Sequence, residues 1–229
     1  NDEVLFLCKL DGMNAWITKT GVVYDHYKLE KTKAEAGSTY PSISRENELK
    51  NTNVYGHVLK MKLVDSKNNP QRRGANKQDT YYNYLIGNDR SVWTDKVTLF
   101  KDVEVKDVYD GIDIKYYIEE GLLRYDFRIQ PGADLSNLKF EIKGDEDLRI
   151  NEAGELVITT SIGKVIHGKI FAYQDESEID CSYKLTRQGN IGVKVKNYDA
   201  EKELIIDPLV YSTFIGGSGY ERGHSADID

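Results

Sequence analysis

The sequence predicts an all-β protein of β-sandwich-type architecture, made of two packed β sub-domains. Three observations carry this expectation. Short apolar runs alternate with polar residues at period two, the spacing that turns one face of a strand toward a core. Clusters of Gly, Asp, Asn and Pro separate these runs at short intervals, as they do in sandwiches and barrels. No stretch of the 229 residues carries the apolar stripe of an amphipathic helix.

The elements follow in chain order. Val4–Cys8, Ala15–Thr18 and Val22–Tyr24 form a small meander, with a turn at Asp11-Gly12-Met13-Asn14. Residues 28–50, rich in Lys, Glu, Ser and Asn, read as a surface loop. Val54–Leu63 is a strand, and residues 65–79 read as a second polar loop with Arg72-Arg73-Gly74-Ala75-Asn76-Lys77 at its tip. Tyr81, Tyr82, Tyr84, Leu85 and Ile86 precede a turn at Gly87-Asn88-Asp89, after which Val97, Leu99 and Phe100 lead into Val103-Glu104-Val105. A break near residue 105 suggests an N-terminal sub-domain over 1–105 and a C-terminal β-sandwich sub-domain over 106–210.

The second half is more regular. Ile112–Ile118 and Leu122–Ile129 form a hairpin about Glu119-Glu120-Gly121, with Leu123, Tyr125, Phe127 and Ile129 on one face. Gln130-Pro131-Gly132-Ala133-Asp134 is a sharp connection in which the Asp134 carboxylate can accept a backbone N–H two or three residues on. Strands continue through Leu138–Ile142, Leu148–Ile150, Leu156–Ile158, Ser161–Ile166, Ile170–Tyr173, Ile179–Tyr183, Val193–Val195 and Leu204–Ile206.

With 31 basic against 38 acidic residues the formal charge is −7, which argues against nucleic acid as the main partner. No apolar run approaches the roughly 20 residues that cross a bilayer, so no membrane insertion is expected. Cys8 and Cys181 form no CxxC; they read as two buried thiols, or as a disulfide if their strands meet. The four histidines, at 26, 57, 167 and 224, show no metal-pair spacing, and no metal or cofactor is expected.

Two candidate sites remain. Tyr81, Tyr82, Tyr84 and Trp93 lie close together and could line a shallow glycan or peptide platform, because such rings join an apolar body to a polar tip. Asp113 and Asp126 would face each other across the hairpin, the arrangement a paired-carboxylate glycan-active enzyme would need. Packed aromatics and solvated, ion-paired carboxylates are the plainer readings of both.

One series of blocks carries more than periodicity: "YLIGNDRSVW", "VYDGIDIKYY" and "LRYDFRIQPGADLSNLKFEIKG", then "AYQ" at 172–174 and "LIIDPLVYSTFIGGSG" from Leu204. Gly87, Asn88, Trp93, Tyr109, Gly111, Ile112, Asp113, Tyr116, Tyr117, Tyr125, Asp126, Phe127 and Pro131 to Asp134 carry the match. The chain resembles a bacterial family of secreted and cell-surface proteins in which an N-terminal β-rich domain of unknown function precedes short β-propeller-type repeats, the SBBP repeats. Leu135 and Ile170 stand where that family usually has Pro. The resemblance implies a secreted or cell-surface location, and it implies that residues 211–229 begin the first repeat. A lone repeat strand cannot bury both faces, so Leu204–Phe214 is expected to pair with this domain's sheet and the chain to fray beyond Gly217. The expected function is a non-catalytic structural or interaction module that caps or presents the downstream repeats of its own chain, in adhesion or envelope assembly. The expected partners are those repeats, a surface glycan or another envelope protein.

Overall fold

The computed structural model describes residues 4–31 and 52–213. Its strands, in chain order, are β1 (Val4–Leu10), β2 (Met13–Thr18), β3 (Gly21–Lys31), β4 (Thr52–Leu63), β5 (Gln71–Tyr84), β6 (Thr94–Tyr109), β7 (Ile112–Glu119), β8 (Leu122–Ile129), β9 (Lys139–Lys143), β10 (Asp147–Ile150), β11 (Leu156–Thr160), β12 (Gly163–Gln174), β13 (Ser177–Ile179), β14 (Cys181–Leu185), β15 (Ile191–Val195) and β16 (Leu204–Thr213). One sheet has the order β1-β2-β3-β4-β9-β15-β14; the other has the order β10-β11-β12-β16-β8-β7-β6-β5, with β13 beside β12. The described residues thus bear out an all-β sandwich.

The β7–β8 hairpin shows why the sequence folds this way. Leu123, Tyr125, Phe127 and Ile129 of β8 are buried, as are Ile112, Ile114 and Tyr116 of β7, while the intervening polar residues face outward. Glu120 (φ 51°) and Gly121 (φ 74°) make the two-residue turn whose positive φ values match strand twist. The Asp134 carboxylate accepts the Ser136 N–H at 2.9 Å, as the turn chemistry predicted. Between the sheets lies one core, to which Ile17, Val22, Leu59, Met61 and Phe140 contribute from the first sheet and Tyr125, Phe127, Ile158 and Ile206 from the second.

Several expectations are corrected. Residues 71–79 belong to β5, so the basic cluster lies along an edge strand rather than at a loop tip. An edge strand with solvent on both sides needs no apolar alternation, and period two therefore misses it. Residues 28–31 extend β3, paired with Tyr55 to Thr52. The rest of the expected loop at 28–50 and the segment 214–229 lie outside the described residues. The break near residue 105 falls within β6, and each sheet takes strands from both sides of it: β9 pairs β4, and β7 pairs β6. β16 pairs β12 from Lys164↔Thr213 to Tyr173↔Ile205, and β8 over Leu204–Ile206.

Polar contacts join the two sheets. The Tyr109 hydroxyl of β6 lies 2.7 Å from the Val64 carbonyl and 2.8 Å from the Lys139 carbonyl of the opposite sheet. Arg72 donates to the Lys19 carbonyl at 2.8 Å. His57 Nε2 donates to the Gly144 carbonyl at 2.6 Å, which leaves Nδ1 to accept from Ser161 Oγ (2.9 Å) and from the Ser161 N–H (3.3 Å). Cys8 and Cys181 are free and sit on opposite edge strands of the first sheet, and burial pushes both thiols up to about 11.

Candidate functional site

β5 and β6 pair from Gln71↔Lys106 to Tyr84↔Thr94, but β7 accompanies β6 only from Asp102 onward. Residues 76–101 therefore continue past the body of the sheet as a two-stranded arm. Two interruptions of register, between Lys77 and Tyr81 and between Tyr82 and Tyr84, twist its outer edge. With Lys77 and Asp79 on that edge, the arm is guarded against simple strand addition.

All four aromatics of the predicted platform lie on this arm, but they divide into separate groups. Tyr82 and Tyr84 are neighbours, with ring centroids 6.3 Å apart, and the Lys9 ammonium lies 5.3 Å from the Tyr84 ring. Trp93 serves the turn instead: its Nε1–H donates to the Gly87 carbonyl at 3.2 Å, and the Arg90 guanidinium sits 5.4 Å from its ring. Asp89 caps the short 3-10 turn Arg90–Val92 through the Ser91 N–H. Among the described residues no ring contact joins Tyr81 or Trp93 to the Tyr82–Tyr84 pair.

The exposed surface of the arm is more aliphatic than the aromatic reading implied. Ile86 is 74% exposed and Val92 65%, beside Leu85, Tyr81 and Tyr82 at over half. Leu85 and Ile86 were visible in the sequence only as the end of a strand; their signal was an apolar pair next to a Gly-Asn-Asp turn, where polar residues are the rule. At its base the arm rests on β1 through an edge-to-face contact of Phe6 and Phe100, 6.2 Å between centroids. Phe100 also lies over Gly74, where any Cβ would meet its ring at 2.3 Å.

The carboxylates predicted to face each other do not. Asp113 pairs with Arg128 and Asp126 with Lys115 in the β7–β8 register. Asp113 binds Lys106 Nζ at 2.8 Å and the Asp107 N–H at 2.7 Å, and Asp126 accepts the Tyr117 hydroxyl at 3.0 Å. Burial holds the Asp126 carboxyl above the ordinary carboxylate range, against the hydrogen bond from Tyr117. The same outward face carries Arg73–Glu104, Lys115–Asp102 and Arg124–Asp207 ion pairs. It is a mosaic of paired charges.

The interior holds the other polar cluster. His26 of β3 and His167 of β12 meet from opposite sheets at a cavity of about 20 Å³, with Tyr24, Leu59, Leu123, Ile158 and Val165 around them. That volume suits about one water. Both imidazoles are 2% exposed, and burial pushes each down to about 4. Among the described residues the Tyr24 and Tyr125 hydroxyls and His167 Nδ1 are buried without a hydrogen-bond partner. Among the described residues no three His, Cys, Asp or Glu are grouped to hold a metal ion.

No helix of the described residues is long and apolar enough to cross a membrane. No curated protein and no solved structure matches the chain. A family model described as Domain of unknown function (DUF7948) matches residues 1–209, nearly the whole sandwich. The chain is a member of the DUF7948 family of domains of unknown function.

Proposed function

We propose that this domain is a non-catalytic interaction module of a larger bacterial surface or secreted protein, and that it holds or caps the SBBP-type repeats downstream in its own chain. The observation that carries the reading is the β5–β6 arm, which holds Leu85, Ile86 and Val92 in water at its tip. Apolar side chains gathered at one projecting site are the mark of a surface that another protein covers. The body of the domain, by contrast, presents paired charges. Adhesion or envelope assembly is the setting in which such a module would serve.

The reading is tested with the downstream repeats produced as a separate chain and titrated calorimetrically. Ile86→Asp combined with Val92→Asp is expected to abolish binding while changing stability by less than about 0.5 kcal/mol, since both positions are exposed. Unchanged affinity overturns the assignment to the arm. A second reading, carbohydrate binding, draws support from Tyr81 and Tyr82, residues that are 53% and 58% exposed. A glycan array is expected to show hits that vanish in Tyr82→Ala; silence of the unaltered domain across the array removes this reading.

A further inference from the structure

Three adjacent strands bring together an amine, a carboxylate and a carboxamide at the root of the arm. Lys115 of β7 points its Nζ at Asp102 Oδ1 of β6, 3.4 Å away. The other oxygen of the same carboxylate, Oδ2, accepts a hydrogen bond from Asn76 Nδ2 of β5. The pairing register alone would not produce this triad. Lys115 stands directly opposite Glu104, but Glu104 is taken by Arg73, and the amine leans to the diagonal neighbour Asp102. Asn76 lies in the regular β5–β6 register just before its first interruption, yet with φ of 54°, a left-handed conformation that Asn tolerates better than most residues, and its amide reaches Asp102.

Asp102 is 8% exposed, and the Lys115 side chain lies along the Tyr117 ring with Nζ 5.3 Å from its centroid. The proton acceptor is thus withdrawn from water and the amine partly covered, while Asn76 is open to solvent. We propose that Lys115 and Asn76 are a site of intramolecular isopeptide formation, with Asp102 as the proton carrier between them. Lys115 Nζ, having passed a proton to Asp102 Oδ1, attacks the Asn76 side-chain carbonyl carbon. The new Nζ–Cγ bond forms and the Cγ–Nδ2 bond breaks. Asp102 returns the proton to Nδ2, the atom its carboxylate already contacts, so that nitrogen leaves as ammonia, and the ammonia takes up the second proton shed by Nζ and passes into the solvent on the exposed side as ammonium. The sum is one ammonium side chain plus one carboxamide going to one secondary amide plus ammonium ion, with no oxidant, metal or cofactor required. Holding the nucleophile and the leaving group on one carboxylate supplies proximity and proton transfer together. The product would tie β5 to β7 across β6 and fix the arm covalently to the sheet, whatever the arm binds.

The test is the intact mass of the full chain, purified folded and incubated for days at neutral pH. The expected mass is lower than that of the sequence by one ammonia, with a cross-linked proteolytic peptide joining the segments that carry Asn76 and Lys115. Asn76→Ala, Lys115→Met and Asp102→Ala are each expected to restore the full sequence mass, and the first two keep the proposal testable if Asp102→Ala fails to fold. A wild-type mass equal to that of the sequence overturns the proposal. So does a deficit found as a succinimide on an asparagine with Lys115 in an ordinary linear peptide.

Discussion

Acidification from pH 7 to 4 is expected to cost the domain several kcal/mol of stability, and the cost comes from two buried histidines rather than from carboxylates. Burial pushes His26 and His167 from an ordinary 6.5 down to about 4, and a smaller push comes from a neighbouring imidazole, His57 on His26 and His26 on His167. Folding therefore favours the neutral rings. Above pH 6.5 folded and unfolded chains are equally unprotonated and there is no penalty. As pH falls through 6.5 the unfolded chain takes up protons that the folded core refuses, and the penalty grows until about pH 4. A difference of about 2.5 pH units corresponds to roughly 3 kcal/mol for each histidine. Against a typical total of about 5–15 kcal/mol this is large. Asp107, Asp134 and Asp180 are held below the ordinary carboxylate range by their hydrogen bonds, so their contributions fail only at still lower pH. Asp126, raised by burial, acts in the opposite direction and offsets a small part. Urea titrations at pH 7, 5.5 and 4 measure the slope. His167→Phe is expected to flatten it by about half, and equal stability at pH 7 and pH 4.5 would show that the rings are not sealed between the sheets.

Phe127→Ala is expected to destabilise by about 3–5 kcal/mol, the range for deleting a buried aromatic and leaving a cavity. The side chain is fully buried, packs edge to face on Tyr125 at 5.4 Å, and comes from a strand paired on both sides, Ile114↔Phe127 and Phe127↔Ile206. A strand clamped by two neighbours cannot shift to refill the space. Chemical denaturation at neutral pH, with the slope on denaturant unchanged, reads the loss directly. A cost under about 1 kcal/mol would place this ring outside the core.

The all-β class, the β7–β8 hairpin and the Asp134 turn were legible because each is written in neighbouring residues. Tyr125 and Phe127 alternate with charges and Asp134 precedes its acceptor turn, so periodicity and turn chemistry suffice. β5 was not legible, since an edge strand of Arg, Asn, Lys and Gln owes its shape to β6 rather than to its own pattern. Nor was the division into layers: β4 meets β9 across a gap of some eighty residues of chain, and no local signal records that Met61 lies opposite Ile142. The candidate sites divide in the same way. Tyr81, Tyr82, Tyr84 and Trp93 were found as a cluster because they are close in sequence, while the contact of Asn76, Asp102 and Lys115 depends on three strands arriving side by side.

The place of β16 has a consequence for how the chain reaches this state. The last described strand fills the middle of the larger sheet, between β12 and β8. Until it arrives, two long strands stand with bare edges and Phe127 lacks its neighbour. Growth from one end thus offers no stable halfway house, because the keystone is laid last. Such long-range closure is slow, and it leaves unpaired edges open to wrong partners while the chain waits.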